Sequence, residues 1–320
     1  MLLNEFIQNN KFVDVRGPQT TPPVTTPSQL KRQAFLLNFP LTISTKNANN
    51  PWMQAIPEEI REIDYEKAFS QFYDVYSFVV SEGALVYLLP SEGNFQDQEY
   101  VANLGIYLPH LGDRSVVVLS NFTSPPRQGE EKVGQKFFEM MKYEVHMAPT
   151  KWEGEAELKF LKDNIYVGGY GIRTKKETYE WMQEKFEMTV VPVKMIDKKL
   201  YHFDTLFLRL RPDAVMMPTS ALEKEDIKAI EKHAEIIDLP MDVAATGCFN
   251  AVPCGKYLLY ADPNHLINNV SLKVIDKVNR YLDIAQTATG LKPKAFNLNQ
   301  FERSGADMGC LFFHLNYEGF

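Results

Sequence analysis

A chain of 320 residues with 45% hydrophobic and 12% aromatic content is long enough to bury a large core, as one big domain or two smaller ones. Its formal net charge of −7 argues against a nucleic-acid or anionic-membrane surface, where a basic patch is expected. No apolar run approaches the ~20 residues that span a bilayer, and three sparse cysteines (Cys248, Cys254, Cys310) suit a reducing cytosol better than a disulfide framework.

The chain opens on "MLLNEFIQNN", which suits a short docked helix or lid as well as a disordered end and lacks the basic and apolar regions of an export signal. "GPQTTPPVTTPSQ" (17–29) is rich in Pro and Thr and reads as a linker that cannot join a sheet interior. From about residue 30, strand-like and helix-like stretches alternate. Helical spacing over 58–83 is followed by the apolar strand "ALVYLLP". "KKETYEWMQEKF" leads into "MTVVPVKMI", and "ALEKEDIKAIEKHAEII" follows "AVMMPT". "VSLKVIDKVNRYLDIAQTATG" ends on a glycine, a favoured helix C-terminus, and precedes "CLFFHLNY". This alternation predicts an α/β or α+β domain. Roughly 290 residues divided among strand-strand-helix-strand units would make about five modules of under 60 residues.

Three stretches carry reactive side chains. "WEGEAELKF" (152–160) alternates as a strand would, with Glu153, Glu155, Glu157 and Lys159 on one face. The plain alternative is a wet outer face; the functional one is an acidic wall suited to a guanidinium, whose planar N–H groups match a carboxylate. "YHFDTLFLRL" (201–210), read as a strand, points His202 and Asp204 the same way, either into solvent or into a polar site. "ERSGADMGCLFFHL" sets Cys310 after Gly305 and Gly309 at the entrance to an apolar strand. A buried cysteine is often only a small hydrophobe, but flanking glycines and a polar lead-in favour an accessible, reactive thiol.

The order Glu…His-x-Asp…Cys, with "NNPWM" (49–53) and "YVANLGIYL" (100–108) upstream, resembles the guanidino-group-modifying superfamily, the penteins, over residues 31–320. That superfamily contains arginine deiminase, dimethylarginine dimethylaminohydrolase and glycine amidinotransferase. The resemblance implies a five-bladed, pseudo-symmetric α/β propeller of ββαβ modules, with residues 1–29 an N-terminal extension or linker and 30–320 a single catalytic domain. It implies a cytoplasmic hydrolase acting on a C–N bond of arginine or a derivative, with a covalent amidino-thioester on Cys310. His202 would be general acid and base, steered by Glu153, and Asp204 would hold the guanidinium. Transfer of the amidino group to an amine, or a non-catalytic binding role, are the alternatives. No cofactor, metal, nucleic acid or membrane is expected; the partner is a small guanidino substrate, and homo-oligomerisation is left open.

Two features depart from the family pattern. Asn103 stands where an Asp is common, although some members resemble "ANxG" here, and Asp97 or Glu99 nearby would restore negative charge. "EGEAEL" is one residue longer than the usual acid-Gly-Gly-Asp spacing, so Glu155 competes with the preferred Glu153 for the acidic role, and otherwise joins Asp204 in binding substrate. Arg127 in "PPRQGEE" suits a substrate carboxylate or an exposed loop equally. Cys248 and Cys254, without a histidine at ligand spacing, fit core packing better than zinc. His314 reads as a core or channel-edge residue.

Overall fold

The structure, a computed structural model, describes residues 25–92, 95–267 and 269–319. In chain order, β1 (Ala34–Leu37), α1 (Tyr65–Ser81) and β2 (Leu85–Leu88) begin the first blade. The second blade follows with β3 (Gly105–Tyr107), β4 (Val116–Leu119), α2 (Glu130–Met140) and β5 (Glu144–Met147). The third is β6 (Leu158–Lys162), β7 (Ile165–Tyr170), α3 (Lys176–Phe186) and β8 (Thr189–Lys194). The fourth is β9 (Leu208–Arg211), β10 (Ala214–Met217), α4 (Lys224–Glu231) and β11 (Glu235–Asp238), and the fifth β12 (Val252–Cys254), β13 (Tyr257–Ala261), α5 (Leu272–Thr289) and β14 (Lys292–Phe296). The last strand, β15 (Phe313–His314), returns to the first blade.

Each blade is a three-stranded sheet whose middle strand pairs antiparallel with one neighbour and parallel, across its helix, with the other. Middle strands with both faces covered read as apolar runs rather than alternations. The two faces of β4 show why. Val117 and Leu119 pack with Leu36 and Phe313 of the first blade, whereas Val116 and Val118 pack with Tyr166 and Tyr179 of the third. The same division recurs in β10 and in β1, where Phe35 and Leu37 meet Leu259 and Phe296 of the fifth blade. Five apolar clusters therefore lie between successive blades and close a ring, a five-bladed pseudo-symmetric α/β propeller. Every fully buried Val or Leu in them contributes roughly 1.5–3 kcal/mol. The ring is sealed by β15, with Phe35 opposite His314 and Leu36 opposite Phe313.

Several elements depart from the sequence expectation. The helix expected over 58–83 is broken, with a short turn at Glu58–Arg61 and α1 starting where Asp64 accepts a bond from the Lys67 N–H. The strands expected from Trp152 and Tyr201 begin only at Leu158 and Leu208; short 3-10 turns precede them at Gly154–Ala156 and Phe203–Thr205. Cys310 likewise lies in a 3-10 turn, Met308–Leu311, ahead of the strand. Residues 1–24, most of the expected extension, lie outside the described residues. Of the linker's end, Pro27–Gln29 form a 3-10 turn, and the Asn316 side chain donates to the carbonyls of Pro27, Leu30 and Arg32.

Candidate active site

The edge strands β3, β6, β9, β12 and β15 are each entered through a short turn, and turns from neighbouring blades touch. Each turn delivers one polar side chain: Asn103, Glu153, His202, Asn250 and Cys310. Cys310, His202 and Asn103 line one cavity of about 320 Å³ together with Asp97, Arg127 and Arg173.

Glu153 is fully buried behind His202, its Oε2 2.7 Å from the His202 Nε2. Its Oε1 accepts from the Thr123 N–H at 3.0 Å and from Arg173 Nη1 at 3.3 Å. Burial pushes this carboxyl up, but the Arg173 guanidinium, His202 and Arg127 outweigh it and hold Glu153 well below the usual carboxylate range. The carboxylate is therefore ionised and fixes the imidazole by one ring nitrogen, so that the other is available for proton transfer. Asn103 Nδ2 lies 3.4 Å from the same His202 Nε2.

Gly154 explains how "EGE" sends its two acids apart. It sits at φ +62°, where a Cβ would stand 2.5 Å from the Ala102 carbonyl and 2.7 Å from the Gly105 nitrogen. This left-handed residue breaks the alternation on which a shared face depends. Glu155 consequently turns away from His202: it accepts from the His314 N–H at 3.0 Å and meets His314 Nδ1 at 2.6 Å. Of the two acids left open by the sequence, Glu153 is the one in contact with His202.

Cys310 is held by Asn250, whose Nδ2 donates to Sγ at 3.3 Å and whose backbone carbonyl accepts from the Gly309 N–H at 3.0 Å. Burial pushes the thiol above its ordinary range, and the Asp204 and Asp307 carboxylates push it further. These causes hold the thiol neutral, and a cation arriving beside it would favour thiolate.

The sequence-predicted binding residues fall into two groups. Asp97 lines the cavity; its Oδ2 accepts from Asn49 at 2.6 Å, and Oδ1 has no hydrogen-bond partner among the described residues. Burial raises its pKa against the pull of Arg127 and Asn49. Arg127 is buried rather than a loop charge, with Nε and Nη2 committed to Glu130 and to the carbonyls of Asp97 and Tyr100. Glu99, the other acid close to Asn103 along the chain, is buried without lining the cavity. Asp204 does not line it either: it is 1% exposed, neither carboxylate oxygen makes a close hydrogen bond among the described residues, and burial raises its pKa. The expected shared face with His202 is absent because the segment is a 3-10 turn, although the Asp204 charge acts on both His202 and Cys310. Cys248 and Cys254 are both fully buried, in different clusters.

Sequence reasoning passes over two residues of the site. Arg173 follows β7 in "GIRT" and ties Glu153 to the Asn49 carbonyl at 2.8 Å. Asn250 stands two residues before β12, a position equivalent to Asn103 before β3, and that repeat is the available signal.

Residues 39–282 match the family described as N,N dimethylarginine dimethylhydrolase, eukaryotic. Curated relatives include the bifunctional arginine dihydrolase/ornithine cyclodeaminase AgrE of Nostoc sp., 24% identical over 88% of this chain and 37% of the relative. ArgZ of Synechocystis sp., with the same bifunctional description, is 26% identical over 82% of this chain and 35% of its own. The chain thus spans just over a third of the length of these two relatives. Among solved structures, the N-terminal domain of a cysteine-to-serine ArgZ mutant bound to substrate superposes with a TM-score of 0.74 at 23% identity, covering 89% of this chain and 98% of that one. A dimethylarginine dimethylaminohydrolase adduct with S-methyl-L-thiocitrulline gives 0.64 at 13% identity, over 88% and 99%. With a match covering most of the propeller, the chain belongs to the N,N dimethylarginine dimethylhydrolase family, within the pentein superfamily of guanidino-modifying proteins.

Proposed function

We propose that this protein hydrolyses a C–N bond of arginine or an arginine derivative through a covalent intermediate on Cys310. The observation carrying this reading is the single cavity where Cys310 and His202 meet, with His202 fastened to a buried, ionised Glu153. Residues 30–320 act as one catalytic unit on this reading, since β15 seals the ring beside the nucleophile's turn.

The substrate guanidinium enters as a cation, drawn by Asp97 in the wall and Asp204 behind it, and its charge favours transfer of the Cys310 thiol proton to His202, leaving a thiolate beside an imidazolium. Sulfur adds to the guanidinium carbon. The C–N bond breaks as the His202 imidazolium gives its proton to the departing amine, and neutral His202 then takes a proton from water as the hydroxyl adds to the amidino carbon. Collapse expels the thiolate and leaves a ureido product. Glu153 stabilises the imidazolium without taking its proton. A substrate carboxylate is met by Arg127, whose Nη1 makes no hydrogen bond among the described residues, and by Arg173.

The test is a turnover panel of arginine, methylated arginines and agmatine, following ureido product and released amine in wild type and Cys310→Ser. Product from at least one compound, abolished by Cys310→Ser, supports the reading; equal activity of the two proteins refutes it. Because the two curated relatives above are described as arginine dihydrolases, ammonium per arginine is counted too: two equivalents would mean the ureido product is hydrolysed in turn.

A further inference from the structure

The segment leading to Cys310 belongs to the walls of two cavities. Gly305 and Ala306 line the one that holds Cys310 and His202, and they also line a neighbouring cavity of about 460 Å³. Glu302 and Asp307 face this second space, and Trp52, Leu200 and Leu266 supply its apolar wall. Ala245, also in the wall, is exposed, so the cavity opens to solvent.

The two carboxyls are built in without a cation. Gly247 sits at φ +71°, where a Cβ would collide with the Asp307 carboxyl, so glycine there makes the room that Asp307 occupies. Burial and the charges of Glu302 and Asp204 push Asp307 up to about 8, and no hydrogen-bond donor or cation acts against them. Glu302 Oε2 accepts from the Ile267 N–H at 2.9 Å; burial still raises this carboxyl to about 7, against that bond and the Arg303 charge. Arg303 itself donates to the carbonyls of Ile60 and Glu62, and among the described residues no basic side chain lines the cavity. The wall hydroxyls have no proton to offer a ligand: Thr205 Oγ1 donates to the His202 carbonyl at 2.6 Å, and Thr246 Oγ1 to the Val243 carbonyl at 2.7 Å.

We propose that this second cavity binds a small organic ammonium ion, its N–H groups donating to Asp307 and Glu302 and its apolar body lying against Trp52, Leu200 and Leu266. A primary ammonium carries three donors and no acceptor, which matches walls that can mainly accept. Its charge would offset the desolvation that raises both carboxyls, and an indole face attracts a cation. Mostly apolar walls with a few convergent polar groups are the usual form of a small-molecule site. A hard metal ion fits less well, since calcium takes about six to eight oxygen ligands. No group of three or more metal-ligating side chains occurs among the described residues. The inference is independent of the chemistry at Cys310 and stands or falls apart from it.

Equilibrium dialysis of the full chain against benzylammonium, at about pH 8, tests it, with benzyl alcohol as the neutral isostere and calcium as the compact cation. One benzylammonium per chain is expected, with benzyl alcohol and calcium each at least about tenfold weaker. Asp307→Asn and Glu302→Gln should each weaken benzylammonium about tenfold or more, as a charged acceptor becomes neutral. Asp97→Asn, in the other cavity, should leave it unchanged. If Glu302→Gln fails to fold, Asp307→Asn, which keeps the shape of the side chain against Gly247, carries the test. No benzylammonium binding, benzyl alcohol or calcium binding as tightly, full affinity in Asp307→Asn, or loss of binding on Asp97→Asn would each overturn the proposal.

Discussion

Replacing Gly154 by alanine should damage stability and activity together, because this residue sets the directions of both Glu153 and Glu155. At φ +62° an L-residue costs about 1–2 kcal/mol relative to glycine. The added Cβ would also stand 2.5 Å from the Ala102 carbonyl, 2.7 Å from the Gly105 nitrogen and 2.8 Å from the Asn103 carbonyl carbon. All three are backbone atoms, so relief requires moving the turn that carries Asn103, and overpacking of this kind costs roughly 1–3 kcal/mol more. The sum, roughly 2–5 kcal/mol, corresponds to a fall in Tm of roughly 3–7 °C for a chain of this size. A displacement of about 1 Å at the Glu153–His202 pair would lower kcat/KM about a hundredfold. Gly290→Ala is the control: its φ is +76°, but no atom lies within 4 Å of the added Cβ. It should cost only the backbone strain, about 1–2 kcal/mol, and leave kcat/KM intact. Urea denaturation with steady-state kinetics on both variants decides the matter. If Gly154→Ala matches Gly290→Ala in stability and retains wild-type kcat/KM, the account of this turn is wrong.

Asp97→Asn should weaken guanidino-substrate binding by about 1–3 kcal/mol, as a charged acceptor in the cavity wall becomes neutral, whereas Cys310→Ser should abolish turnover and largely keep affinity; calorimetry on both reads the division. A cationic haloacetamidine should alkylate Cys310, which lines the cavity beside Asp97, in preference to Cys248 and Cys254, which are fully buried away from it, and peptide mass spectrometry would expose preferential labelling elsewhere. Burial and the charges of Glu302 and Asp204 hold the Asp307 carboxyl at about 8, far above its unfolded value, so its contribution to stability is complete below about pH 4 and is lost as pH rises through 8. Asp307→Asn should therefore gain stability relative to wild type between pH 5 and pH 9 in urea titrations, and a constant difference would contradict this.

The parts of the fold legible in the sequence were those with local causes. Apolar runs such as "AVMM" and the glycine ending α5 gave the ββαβ rhythm, because a strand covered on both faces and a left-handed helix cap leave direct compositional marks. The order Glu153, His202, Cys310 is also legible, and the fold brings Cys310 and His202 to one cavity with Glu153 against His202. What failed was period-two reasoning across "WEGEAEL" and "YHFD". One positive-φ glycine in the first, and a 3-10 turn in each, redirected side chains that alternation would have aligned. Asp204 accordingly sits behind the cavity rather than in its wall. Arg173 and Asn250 were illegible for another reason. Each acts through tertiary contact with a residue far along the chain, Arg173 with Glu153 and Asn250 with Cys310. In "GCFNAVPCG" the cysteines drew attention that belonged to the asparagine between them.

The central claim is that Cys310 becomes covalently attached to the guanidinium carbon during turnover. Rapid acid quench after mixing the protein with arginine or a methylated arginine, followed by mass spectrometry of the Cys310 peptide, measures this directly. The account predicts an amidino or alkylamidino adduct on Cys310 that forms and decays with turnover and is absent in Cys310→Ser. Turnover without any adduct on Cys310, in wild type and Cys310→Ser alike, would contradict it.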